Sequence, residues 1–179
     1  KAAAAGGQAD CDPLTGLESR AHFLSTVRDD PSPRILVCIG VDPVGRGKPS
    51  RSRFVVRKMA ARAGSLMTKT LQHADHRVHW EPTLLVASFP VDHGDVAFGE
   101  LEALRTSFAD LVFAGGRGPA VCGSLTSALA EWREPTDTAL ASALLRSRAG
   151  VAGAQLRGGN RIVCVDEQFG AILSLPLIA

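Results

Sequence analysis

The segment that most restricts the fold of this chain is a near-continuous apolar run at residues 34–41, RILVCIGV. A strand with one face in water alternates apolar and polar side chains, whereas this run is apolar on both faces. It therefore predicts a buried central strand. A chain of 179 residues, 45% of them hydrophobic, is long enough to enclose such a strand within one domain.

Helices and strands alternate along the rest of the chain. Apolar residues recur at helical spacing over residues 17–28, 54–71, 95–112 and 137–155. We expect the last helix to be interrupted at Gly150 and Gly153. Strands are predicted at residues 75–80, 83–89, 120–125, 161–166 and 172–178, the first two forming a hairpin. The order β-α-β-β-α-β predicts a ferredoxin-like α+β core with an extension, the sheet on one side and helices on the other.

Composition excludes several function classes. The net charge of +2 is too small for an electrostatic nucleic-acid binder, and no apolar run is long enough to cross a membrane. The four cysteines are scattered and lack zinc-type spacing, which favours a reduced, cytoplasmic setting without a metal centre. Residues 1–9 are rich in Ala and Gly and are predicted to be a linker or a cloning remnant.

One short motif carries a family resemblance. Residues 12–20, DPLTGLESR, resemble the opening motif D-x-L-T-G-L-x-N-R of GGDEF (diguanylate cyclase) domains, with Ser19 at the usual Asn position. The segments LVCIGVD, RVHWEPTLLVASF and GGNRIVCV are similar to the family's first strand, signature hairpin and closing strand. The resemblance implies a single GGDEF-like domain over residues 10–179, with its core at 10–166 and an extension at 167–179. Its sheet would be central, mostly antiparallel and flanked by helices.

The resemblance implies a chemistry whose residues are largely replaced. Members of the family join two GTP molecules, each held by one subunit of a dimer, into cyclic di-GMP with the help of metal ions. Here the family's first metal carboxylate falls on Gly40, and HWEPT stands where GGDEF is expected. The five signature positions are His79, Trp80, Glu81, Pro82 and Thr83.

Other nucleotide contacts of the family are also replaced. The stretch that reads guanine corresponds to VGRGKPSRSR, and the late Lys and Arg correspond to Gln155 and Gly159. The R-x-x-D product site would fall on Thr70 and His73. The resemblance therefore predicts a catalytically inactive domain without a cofactor. Magnesium held by the two retained acids, Asp42 and Glu81, is the weaker alternative.

Three functions remain open. The first is a regulatory, protein-interaction or dimerisation module of a larger bacterial signalling protein. The second is a sensor that binds GTP or cyclic di-GMP without turnover, using the basic stretch at residues 46–62. Its candidate phosphate contacts are Arg51, Arg53 and Arg57. An active cyclase ranks last, because no carboxylate replaces Gly40.

Two local features allow opposite interpretations. Trp80 is predicted either to be an exposed recognition residue or to fold back and fill the vacated nucleotide cleft. His73, His76 and His79 are evenly spaced, as in some metal sites. However, His76 and His79 are separated by an odd offset, which on a strand places them on opposite faces. This geometry argues against a zinc site.

Overall fold

The computed structural model of the protein describes residues 10–30, 32–42, 53–114, 120–134 and 136–165. The first half of the chain forms β1 (Glu18–Ser19), α1 (Arg20–Asp29), β2 (Arg34–Val41), α2 (Arg53–Thr70), β3 (His76–Glu81) and β4 (Leu84–Pro90). A short 3-10 turn then leads into α3 (Gly94–Ala109), β5 (Val112–Phe113), β6 (Val121–Cys122), β7 (Leu125–Trp132), α4 (Asp137–Leu156) and β8 (Ile162–Cys164).

Six of these strands form one sheet in the order β1-β3-β4-β2-β7-β8. The pairs β2–β4, β2–β7 and β3–β4 are antiparallel, whereas β1–β3 and β7–β8 are parallel. Strands β5 and β6 form a separate two-stranded ladder. The series β2, α2, β3, β4, α3, β7 has the ferredoxin-like order. The predicted mostly antiparallel sheet flanked by helices is therefore confirmed.

Strand β2 is buried along its whole length because helices cover both faces of the sheet. Ile35, Val37, Ile39 and Val41 join the core formed with α2 and α3, whereas Leu36 and Cys38 join the core formed with α1 and α4. The expectation that helices lie on one side only was wrong. A strand that is apolar on both faces needs a helical layer against each of them.

The sequence patterns misplaced one strand. The eight-residue strand β7 pairs with β2 over its whole length, yet a strand was expected only at residues 120–125. Its sequence, LTSALAEW, is rich in Ala, Ser and Thr and lacks the large β-branched residues that mark a buried strand. The local sequence therefore gave little strand signal, and pairing with β2 determines the conformation.

Helix α4 is continuous across Gly150 and Gly153, so the expected interruption was also wrong. A glycine inside a helix costs only about 1 kcal/mol relative to alanine, and Gly150 lies against the sheet. A Cβ atom at this position would come within 2.5 Å of Val165 Cγ1 and 2.9 Å of Ala128 Cβ. The absence of a side chain therefore allows α4 to approach the sheet.

Some predictions concern segments outside the described residues. These are the linker at 1–9, the extension at 167–179 and the strand at 172–178. The domain boundaries stay predictions for the same reason. None of the helices in the described ranges is long and apolar enough to cross a membrane.

Candidate functional site

The signature hairpin, residues 79–83, lies beside the carboxyl end of β2. Pro82 and Thr83 form its exposed two-residue turn. The Val41 amide donates a hydrogen bond to the Thr83 carbonyl at 2.9 Å, and Gly40 pairs with Leu84 of β4. The fold thus brings the signature positions to the same end of the sheet as Gly40, where the resemblance places the family's metal carboxylate.

Trp80 is the extra residue of a β-bulge. His79 pairs with Leu85 and Glu81 pairs with Leu84, so Trp80 has no opposite residue on β4. Its ring packs edge-on against Phe23 of α1 with centroids 6.2 Å apart, and the Arg20 guanidinium lies 4.4 Å from the ring centroid. The side chain is half-buried. Trp80 therefore packs on α1. It is neither a fully exposed recognition residue nor a fully buried one that fills the cleft.

His79 ties the signature hairpin to the opening motif. Its Nδ1 atom lies 2.9 Å from Asp12 Oδ2. The other Asp12 oxygen accepts hydrogen bonds from the Thr15 amide and the Thr15 hydroxyl, at 2.9 and 2.8 Å. Burial raises the pKa of Asp12, but the hydrogen bonds from Thr15 and His79 outweigh this effect and hold the pKa below its ordinary value of 3.8. The opening motif therefore holds the signature hairpin in place through Asp12, a role that its sequence pattern did not indicate.

Gly40 lies directly under α4. A Cβ atom built on it would come within 2.6 Å of Val151 Cγ1 and 2.8 Å of Gln155 Nε2. Contacts this short require neighbouring atoms to move, so the position where the resemblance expects a metal carboxylate has no space for a side chain as the protein is packed.

Asp42 is buried and its carboxylate is held by protein donors. Oδ2 accepts hydrogen bonds from the Ser124 hydroxyl and the Asn160 amide, both at 2.8 Å, and Oδ1 accepts one from Gln155 Nε2 at 3.0 Å. The chain reaches it through a turn in which Gly158, Gly159 and Asn160 all have positive φ. A Cβ atom at Gly159 would lie 2.7 Å from Asp42 Oδ2, so this close approach requires glycine.

Glu81, the other retained acid, is bound by α4. Arg148 donates two hydrogen bonds to its carboxylate, at 2.8 and 3.0 Å. Asp42 and Glu81 therefore have separate protein partners. Within the described ranges, no group of three or more His, Cys, Asp or Glu side chains is placed to hold a metal ion.

The three evenly spaced histidines also have separate partners. His73 lies 2.7 Å from Glu100 of α3, and His76 lies 2.9 Å from Glu18 of β1. His79 contacts Asp12, as described above. Burial raises the pKa of Glu18, but the hydrogen bond and charge of His76 outweigh this and hold the pKa below its ordinary value of 4.5. Each histidine is thus part of a His–carboxylate pair.

The basic stretch is only partly described. Arg51 lies outside the described residues, and so does the side chain of Arg53, the first residue of α2. Arg57 is exposed on α2. A phosphate-binding role for these three residues stays a prediction.

Solved structures of known proteins identify the fold, whereas sequence comparisons do not. No family model matches the chain, and no curated protein sequence matches it. Solved structures do match. The GGDEF domain of FimX from Pseudomonas aeruginosa is 21% identical with a TM-score of 0.69, over 86% of this chain and 98% of that one. The GGDEF domain of DgcB from Caulobacter crescentus, in complex with cyclic di-GMP, is 15% identical with a TM-score of 0.67, over 93% and 99%.

A third structure is the diguanylate cyclase SiaD from Pseudomonas aeruginosa in complex with its activator SiaC. It is 19% identical with a TM-score of 0.72; the match covers 86% of this chain and 61% of that one. The chain therefore has the fold of GGDEF domains, as the opening motif predicted.

Proposed function

We propose that this chain is a catalytically inactive GGDEF-like domain that serves as a regulatory, protein-interaction module of a larger bacterial signalling protein. Solved structures of the same fold include one with bound cyclic di-GMP and a cyclase bound to an activator protein. These similarities support a place in cyclic di-GMP signalling and a protein partner.

The observation that carries the proposal is the packing at Gly40. Joining two nucleoside triphosphates needs metal ions to neutralise the phosphate charge, and carboxylates hold those ions. The position expected to supply the first carboxylate has no side chain, and Val151 and Gln155 of α4 occupy the adjacent space.

The retained acids support the same conclusion. Asp42 accepts three hydrogen bonds from protein groups, and Glu81 is paired with Arg148. A metal ion would have to displace these partners. At the remaining signature positions, Pro82 has no side-chain ligand atom and His79 is paired with Asp12.

The test is an assay for cyclic di-GMP after incubating the purified domain with GTP and Mg²⁺, beside an active cyclase as a positive control. We expect no product. Calorimetric titration with GTP and with cyclic di-GMP should be silent up to about 1 mM, which corresponds to binding weaker than about −4 kcal/mol. Formation of cyclic di-GMP would refute the proposal.

The Gly40→Asp variant sharpens this test. We expect the restored carboxylate to yield no product and to lower the free energy of unfolding by about 1–3 kcal/mol, because it overpacks the contact with α4. Gly99→Asp is the matched control, since a Cβ atom at Gly99 has no neighbour within 4 Å. Product formation by Gly40→Asp would show that one carboxylate was all the site lacked.

A nucleotide sensor is the second candidate, favoured by the exposed Arg57 in a basic stretch that contains no acidic residue. In that case the same calorimetry would detect micromolar binding without product. Arg57→Ala would weaken the binding, whereas Lys69→Ala, at an exposed position near the other end of α2, would not.

A cytoplasmic location and self-association are further parts of the same proposal. The cysteines support the location: all four are free, and burial raises the pKa of the Cys38 thiol to about 11, so that it stays protonated and unreactive at neutral pH. Size-exclusion chromatography with light-scattering detection tests self-association, because it measures the mass of the domain in solution.

A further inference from the structure

A groove of about 340 Å³ lies between α1 and α4, on the sheet face that carries Gly40 but extending away from that position. We propose that it binds a small amphipathic monoanion, an apolar acyl or aryl body with one acidic head group. The proposal goes beyond the function given above and does not depend on whether the domain turns over GTP.

The groove is bounded at both ends by ion pairs. At one end Arg28 of α1 donates two hydrogen bonds to Asp137, the first residue of α4, at 3.1 and 3.2 Å. At the other end Arg148 of α4 is paired with Glu81 of β3. The helices run antiparallel between these pairs. The ten residues of α1 span about 15 Å, which sets the approximate length of the groove.

Most of the residues that line the groove are apolar. They include Leu24, Cys38, Trp80, Leu84, Leu140 and Leu144. Cys38, Leu84 and Leu140 are buried, and burial keeps the Cys38 thiol protonated. A volume near 340 Å³ with such a lining is in the range of small-ligand sites. These side chains favour an apolar ligand body.

The charge at the rim selects the head group. The lining contains three arginines and two acids, and the acids, Glu81 and Asp137, are each paired with an arginine. The third arginine, Arg20, rests on the face of Trp80 and has no carboxylate partner in the described ranges. It provides one excess positive charge beside the apolar lining. An anionic head group at Arg20 would complete the charge balance.

The same features disfavour a nucleotide. A guanine base needs hydrogen-bond partners along its edges. The leucine side chains supply none, and both acids of the lining are already paired with arginines. A triphosphate needs several cationic or amide donors, whereas two of the three arginines are already paired. The groove therefore suits a ligand with one charge and an apolar body.

The experiment titrates the domain with 8-anilinonaphthalene-1-sulfonate, an aryl monoanion, and follows its fluorescence and the heat of binding. Ala141→Trp fills the groove from an exposed position of α4, and Ala149→Trp places the same side chain at an exposed position outside the groove. We expect Ala141→Trp to weaken binding by at least about tenfold and Ala149→Trp to leave it unchanged. Equal binding by these two variants would overturn the proposal.

Arg20→Gln tests the head group, with Arg57→Gln on α2 as its control. Loss of a charge-assisted contact should raise the dissociation constant about tenfold for Arg20→Gln only. An unchanged constant would contradict the anion requirement. Displacement of the bound probe by decanoate assigns an acyl body, and failure of decanoate to displace it assigns an aryl one. Displacement by GMP would refute the ligand class.

Discussion

Three carboxylates near the start of the described chain each meet a histidine. Asp12 pairs with His79, Glu18 with His76, and Asp10 with His22, the last at 3.5 Å. The first two pairs join the opening motif and β1 to β3. Both carboxylates have their pKa lowered, since their hydrogen bonds outweigh the effect of burial. Stability is therefore linked to pH at these residues.

The direction of that linkage follows from the pKa values. Because the folded state holds the pKa of Asp12 and Glu18 below 3.8 and 4.5, the unfolded state binds protons more readily. Their contribution is present above these ordinary values and is lost as the pH falls through the lower folded ones. We expect the free energy of unfolding, measured by urea denaturation, to decrease as the solution is acidified through this window.

The double variant Asp12→Asn, Glu18→Gln should be less stable at neutral pH and should show a flatter dependence on acid. Asp92→Asn is the control, since Asp92 is exposed and forms no ion pair with the described residues. An acid dependence as steep in the double variant as in the wild type would place the linkage at other residues.

The sequence could nominate candidate site residues, but it could not predict their partners. The motif match aligned HWEPT, Gly40 and Asp42 with family positions, and the structure brings them to one end of the sheet. The pairs that determine their state connect residues far apart in the chain, such as Asp42 with Asn160 and Glu81 with Arg148. Spacing along the sequence carries no signal for such contacts, which depend on where α4 and its following turn pack.

Among the elements, β2 and β7 show the limits of pattern reasoning. The bounds of β2 were predicted correctly because its residues are apolar on both faces. Strand β7 was missed because its small side chains do not resemble a strand. Those side chains are small for a reason seen in the structure, since Ala128 lies beneath Gly150 of α4. Close packing of α4 on β7 thus requires small side chains, and these lack the large β-branched residues by which a buried strand is recognised.

The two glycines of α4 give a matched pair of substitutions. A Cβ atom at Gly150 would meet Val165 at 2.5 Å, whereas one at Gly153 would have only the end of Arg157 nearby, at 3.7 Å. We expect Gly150→Ala to lower the free energy of unfolding by about 1–3 kcal/mol. Gly153→Ala should raise it by up to about 1 kcal/mol, because alanine favours the helix.

Urea denaturation of both variants measures this difference. Stabilisation by Gly150→Ala would mean that α4 packs further from the sheet than described. Destabilisation by Gly153→Ala would mean that this position contacts more than Arg157.

At the scale of the whole molecule, the two cores meet at the central strand. Strand β2 has α2 and α3 against one face and α1 and α4 against the other, with β4 and β7 at its sides. Exchange of its amide hydrogens requires the opening of both layers. We expect β2 to be the most protected segment in hydrogen-exchange mass spectrometry, and the short edge strands β1 and β8 to exchange much faster.

Repeating the exchange measurement on the wild-type domain at increasing urea concentrations shows whether this protection comes from global unfolding. The amides of β2 should exchange only through global unfolding, so their opening free energy should equal the unfolding free energy. Protection of β1 equal to that of β2 would contradict a fold in which stability is concentrated at the centre.

The parallel pairing of β1 with β3 also has a mechanical consequence. The Asp10 carbonyl accepts a hydrogen bond from Ser19 of β1, and Ser19 lies opposite His79, which is itself paired with Asp12. A pull applied at residue 10 along the strand direction loads these bonds together, in shear, instead of opening them one after another. The force would therefore be transmitted directly to the signature hairpin, and it would act on the hairpin first at His79.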